Sequence, residues 1–176
     1  MLATSLACAS TQAPRPPAEA GDSRHGYALL YEILGQEKQV SQLLIIKRDR
    51  EALGAVIDAI AETCGTAHER LAELAEQRPR LDLTDTGLPA DEVQTRELIA
   101  ATRRDLLLAS SGKELELQLL LTQNEALTYA AHLADALSRS ESNPERLEYV
   151  RALWKDLTRL LQETQALLRH PVRTAR

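Results

Sequence analysis

Four histidines, two cysteines and one glutamate set in an apolar period are the residues of this 176-residue chain with the means to do chemistry. A di-metal helical bundle needs inward glutamates and a Glu-x-x-His repeat, because positions i and i+3 put carboxylate and imidazole on one helix face. Three positions before His68, His132 and His170 stand Gly65, Tyr129 and Leu167. His25 alone has an acid there, Asp22, and that pair falls in a stretch without helical period. The motif is missing, so the sequence predicts no metal and no cofactor. What remains is an unfamiliar set of Glu37, His68 and His132. Glu37 lies between Ile33 and Val40–Leu44, where a lone glutamate ordinarily reaches solvent or pairs with an arginine. His132 follows "TYAA" near a helix-face boundary and is expected to be a hydrogen-bonded side chain.

Cys64 and His68 are four apart, the spacing of an activated thiol pair, yet Cys64 sits inside an apolar stripe. Burial there raises a thiol's pKa and makes it inert. No acid, oxyanion donors or strand-turn-helix context accompanies the pair. Phosphate loops, Cys-x-x-Cys pairs and nucleophile elbows are absent too. The sequence predicts a protein that is not an enzyme.

Cys8 carries a different chemistry. "TSLAC" places Ser5, Leu6 and Ala7 before it, and the Pro- and Ala-rich "ASTQAPRPPAEAGDSR" follows as a tether. This order resembles a bacterial lipoprotein signal, in which lipid is attached to the cysteine that becomes the new N-terminus. It departs from that pattern in having Leu6 two places before the cysteine and only seven residues ahead of it. Ala9 after Cys8 implies the outer membrane. The alternative is a cytosolic terminus with an idle thiol. Two cysteines cannot build a disulfide framework, and a Cys8–Cys64 bridge would tie a flexible tail to the middle of a helix.

The elements that must position these groups are helices. Leu30, Ile33, Leu34, Val40, Ser41 and Leu44 recur at helical steps from Tyr27. "KRDRE" breaks the period, with Asp49 as the cap of the next helix. The second helix has the cleanest stripe: Leu53, Ile57, Ile60, Cys64, Ala67, Leu71 and Leu74, alternating steps of four and three. Pro79, Gly87 and Pro89 end it. A shorter third helix over 90–110 carries Val93, Leu98, Ile99, Thr102, Leu106 and Ala109. Gly112 in "SSGK" closes it and admits the fourth, over 113–139, the most apolar and the best buried. Either Ser142 with Glu145 as a capping box, or Asn143 with Pro144 at the first position, opens the fifth. That helix carries Leu147, Val150, Trp154, Leu157, Leu161, Thr164 and Leu168 and stops at His170-Pro171. Trp154 and Tyr129 are expected to anchor the core. The domains are a signal remnant and tether at 1–25, a bundle at 26–170 and a tail at 171–176.

Composition fits this picture. Phenylalanine is absent and aromatics reach 3%, so the core must be aliphatic, which favours helix over strand. A net charge of -5 and a pI near 5.4 exclude a general nucleic-acid binder, which needs a clustered basic face. Arg169, Arg173 and Arg176 form a short solvated tail. No apolar run reaches the ~18 residues that span a bilayer.

With the helices placed, the chain resembles a family of exported ferritin-like bacterial domains of unknown function. "EILGQEKQVSQLLIIKRDREALGAVIDAIAETCGTAHERLAELA" is similar to that family's first two helices, with Glu37 at its early glutamate. "GLP" at 87–89 falls at a loop proline, and "SSGKELELQLLLTQNEALTYAAHLADAL" is similar to the Gly-led helix that follows. The likeness covers about 27–168 and rests on spacing. It implies an all-α, ferritin-like up-down four-helix bundle with a short additional helix and a disordered N-terminal tether. Cys64 and a residue near Leu127 stand where the family has histidines, so the ligand positions are degenerate. The expectation is a non-catalytic periplasmic lipoprotein, anchored to the outer membrane through Cys8, that binds a protein or small-molecule partner or serves a structural role. The alternatives are a metal-binding ferritin-like protein and a cytosolic helical interaction module.

Overall fold

The structure, a computed structural model, describes residues 22–40 and 51–169. Cys8, residues 9–21 of its tether, Asp49 and the tail beyond Arg169 lie outside the described residues, while the last tether residues, Asp22 to Arg24, belong to the first helix. Every regular element described is a helix: α1 Asp22–Glu37, α2 Glu51–Ala75, α3 Ala90–Ala109, α4 Gly112–Ser140 and α5 Pro144–Arg169. The protein is all-α.

Two boundaries differ from the sequence expectation. α1 begins at Asp22, five residues before the period starts, and so takes in His25. It also stops at Glu37 instead of running on through Leu44. There Lys38 N–H bonds to Leu34 O, and Gln39 N–H bonds to Gln36 O, a tighter i−3 contact that ends the regular helix. Ser41 and Leu44 lie outside the described residues.

Four of the helices close a circuit. α1 packs on α2 and α4, and α5 packs on the same two, with the α4–α5 contact the most extensive. Neighbours run antiparallel. Tyr27 near the start of α1 donates to Glu141 just past α4, and a Cβ on Gly26 would come within 2.9 Å of Leu137. Gly35 lies under His68 of α2, while Tyr149 of α5 donates to Ala67 O of α2. α2 and α4 therefore share a direction, and α3 must carry the chain back along the length of the molecule between them.

The core follows from the stripes. All seven α2 positions, Leu53 through Leu74, are buried. On α4 the buried run is Leu119, Leu120, Gln123, Leu127, Ala130, Ala131, Ala134 and Leu137, after Leu115 in its first turn. On α5 it is Arg146, Val150, Leu153, Leu157, Leu160 and Thr164. Val150, Leu157 and Thr164 fall where the period put them, and only the positions between them are displaced by one residue. Leu153 and Leu160 face inward, Leu161 is half-buried, and Trp154 is 38% exposed. Tyr129 is exposed as well, so neither aromatic anchors the core.

α3 departs furthest from expectation. Of its twenty residues only Leu107 is buried. Val93, Leu98, Ile99 and Leu106, which its apolar period assigned to a core face, are all exposed. α3 touches α4 through Leu107, an Arg103–Glu125 ion pair and Arg96 stacked 5.7 Å from the Tyr129 ring. The segment between α2 and α3 is not an open loop. Leu81 and Leu83 pack on the core, and Gly87, at φ 65°, lies against the His25 ring.

Candidate functional site

Two places have the makings of a site: a polar centre inside the helix circuit, and the outer surface of α3.

The polar centre is built on the last turn of α1. Glu37 falls three residues after Leu34 on the buried face of α1, and its carboxylate receives a hydrogen bond from the Gln123 amide on α4. The residue's stem is half-buried, but Oε2 is sealed from solvent and has no hydrogen-bond partner; nor does Oε1 of Gln123. Burial pushes the Glu37 carboxyl up to about 7, against the Gln123 bond, which lowers it. Glu37 is therefore neither solvent-facing nor paired with an arginine, contrary to the sequence expectation. Cys64 faces the same interior. It is 1% exposed, and burial together with the nearby Glu37 charge pushes its thiol up to about 12. Burial also raises the Tyr149 hydroxyl, which donates to Ala67 O at 2.8 Å.

His68 does not join this centre. Its ring stacks on Tyr31, with centroids 3.9 Å apart, and Lys38 Nζ donates to its Nδ1 at 3.3 Å. Burial and the Lys38 charge hold its pKa below the ordinary value. His132 stands exposed on the outer face of α4. Glu37, His68 and His132 are thus on three different surfaces and do not converge. Among the described residues no group of three His, Cys, Asp or Glu side chains is placed to hold a metal. The inward carboxylate has a carboxamide beside it instead of a second acid, so the centre can store a proton but offers a divalent cation only one charged ligand.

Sequence reasoning missed Gln123 and Arg146. Arg146 is 2% exposed; it donates to Pro79 O at 2.8 Å and stands 3.3 Å from Glu141. Glu141 also accepts the Tyr27 hydroxyl at 2.7 Å, and burial with that bond raises the Tyr27 pKa. One arginine therefore ties α5, the segment after α2, the end of α4 and the start of α1. The signal for both residues was positional. Gln123 lies midway between Leu119 and Leu127, and Arg146 opens the α5 stripe, so each is a polar residue at a seam position.

The outer surface of α3 has the opposite character. Thr95 and Thr102 turn their hydroxyls back to the i−4 carbonyls of Asp91 and Leu98. With Leu98, Ile99 and Arg103 they line an open hollow of about 340 Å³. Leu98 is 62% exposed and Leu106, about two turns further on, 43%. Large aliphatic side chains thus stand exposed together on a helix of which only Leu107 is buried. A second, polar hollow lined by Arg24, His25, Arg80, Asp82 and Asp85 mixes charges that satisfy one another, as in the His25–Asp85 contact at 3.7 Å. No helix among the described residues is long and apolar enough to cross a membrane.

Comparison with known protein families, characterised proteins and solved structures finds no match to this chain.

Proposed function

We propose that the protein is a non-catalytic interaction module: a ferritin-like four-helix bundle that displays α3 as a binding element, held at the bacterial envelope by lipid on Cys8. The observation that carries the binding role is the exposure of Leu98, Ile99 and Leu106 on a helix that buries only Leu107. An isolated helix of this length gains little from propensity alone and ordinarily buries an apolar face. Here that face is turned away from α4, so a partner is the natural cover. The bundle reading is supported by the closed circuit of α1, α2, α5 and α4 and by the α3 crossover between the codirectional α2 and α4. The absence of catalysis is supported by the buried state of Cys64 and the scattering of the histidines.

The test separates binding surface from core. Replacing Leu98 and Ile99 together by serine should leave helicity intact and change the folding free energy by no more than about 0.5 kcal/mol, as for other exposed sites. Leu107→Ala should cost about 2–3 kcal/mol in the same urea titration. The serine variant should also lose envelope partners that the wild type retains on cross-linking in its native host. A stability loss for the serine variant as large as that for Leu107→Ala would make this face part of the core and end the proposal. Intact mass of native-host protein tests the anchor: a chain that starts at Cys8 with diacylglycerol supports it, and a free Met1 terminus refutes it.

A further inference from the structure

The side of α3 away from the Leu98–Ile99 hollow carries a second pattern. Val93, Glu97, Ala100, Arg104 and Leu108 follow one another at steps of three and four along one stripe, with Ala101 beside Ala100, and only Ala101 among them is as much as half-buried. Val93 is 38% exposed and Leu108 58%. Glu97 and Arg104 take part in no ion pair among the described residues, whereas the neighbouring Arg96 and Arg103 are held by Glu92 and Glu125.

This stripe is complementary to itself. Glu97 and Arg104 are equidistant from the Ala100–Ala101 peptide bond, and so are Val93 and Leu108. Turned about a twofold axis through that bond, the stripe sets each Glu97 opposite an Arg104, each Val93 opposite a Leu108, and alanine on alanine where the helices cross. Small residues at a crossing let two backbones approach to the close end of the 8–10 Å range of helix packing. A parallel pairing would instead oppose Glu97 to Glu97 and Arg104 to Arg104. An isologous contact requires that residue i meet j while j meets i, and this sequence meets that requirement in one direction only.

We propose that a second copy of this chain docks on this stripe, the two α3 helices running antiparallel with Glu97 paired to the partner's Arg104 at both ends. The hollow lined by Leu98 and Ile99 lies on the other side of each α3 and stays open in the pair. Self-pairing therefore goes beyond the binding role proposed above and presents two copies of that surface in one assembly.

Sedimentation equilibrium of the full chain tests this through charge exchange. The wild type should dimerise. Glu97→Arg and Arg104→Glu each bring like charges together at two places, and each should weaken self-association at least about tenfold, with the urea midpoint unchanged. An equimolar mixture of the two variants should recover the dimer, because each supplies the charge the other has lost. In a Cys8→Ser background, Ala101→Cys should cross-link two copies on mild oxidation, and Thr102→Cys, on the opposite side, should not. This cross-link decides the matter should either charge reversal impair folding. A monomeric wild type, reversals without effect, a mixture that stays monomeric, or cross-linking through Thr102→Cys would each overturn the pairing. None of these results depends on Leu98 or Ile99, so the binding role stands or falls separately.

Discussion

Glu37 is the residue whose ionisation the fold controls most directly. Folding raises its pKa from 4.5 to about 7, so the folded state holds the proton more tightly than the unfolded chain does. Its contribution to stability is full below the unfolded value and is lost as pH rises through the folded one. At 1.36 kcal/mol per pKa unit this amounts to about 3 kcal/mol. The difference in urea stability between wild type and Glu37→Gln should therefore shift by about that amount between pH 4 and pH 8, the wild type losing ground as pH rises. A difference independent of pH would show that the carboxylate is solvated. Using the difference between the two proteins also cancels His68, whose lowered pKa acts in the opposite sense. At this scale the sequence was legible for Cys64, an apolar-seam thiol that burial renders inert. It misled for Glu37, because a general preference for exposed glutamate was set above its place on the buried Leu30–Leu34 face of α1. It misled for Trp154 and Tyr129 because large aromatics were credited to the core on type alone.

Among the elements, α2 was readable almost residue by residue, since one face meets the core along its whole length and nothing polar interrupts it. α5 was readable at Val150, Leu157 and Thr164 and one residue out between them, where Arg146, Leu153 and Leu160 take the inward positions expected of Leu147, Trp154 and Leu161. Its N-terminus resolves the two caps that the sequence allowed. Asn143 Oδ1 accepts the N–H groups of Glu145 and Arg146 at 3.0 and 3.1 Å, and Pro144 takes the first helical position. Asn143→Ala should thus cost about 1 kcal/mol in urea unfolding, with Asn143→Ser close to neutral. A loss shared equally by Ser142→Ala would favour the capping box instead. Gly112, at φ 55°, separates α3 from α4 as its position between two apolar periods implied. α3 itself was correct in span and wrong in environment: its apolar side chains are exposed, and only Leu107 is buried.

For the molecule as a whole, the knot at Arg146 matters most. It is a buried cation held by Glu141 and Pro79 O, with Tyr27 sharing the same carboxylate. Arg146→Ala leaves Glu141 without its cation and should cost about 3–5 kcal/mol, lowering the thermal midpoint accordingly. Replacing both partners, Arg146→Met with Glu141→Gln, should cost less than the single change, since no charge is then left uncompensated. Equal losses would place the energy in the Pro79 contact instead.

The same chain path that makes α3 necessary also sets it free. Because α2 finishes at the end of the molecule opposite to where α4 begins, some connector must span roughly 30 Å, about the rise of a twenty-residue helix. That geometry dictates how long the connector is and leaves its outward composition unconstrained. A strap of fixed reach and open text is a place where new recognition can be written without rewriting the scaffold, and grafting foreign epitopes onto positions 93–106 should be tolerated where the same grafts on α2 would not be.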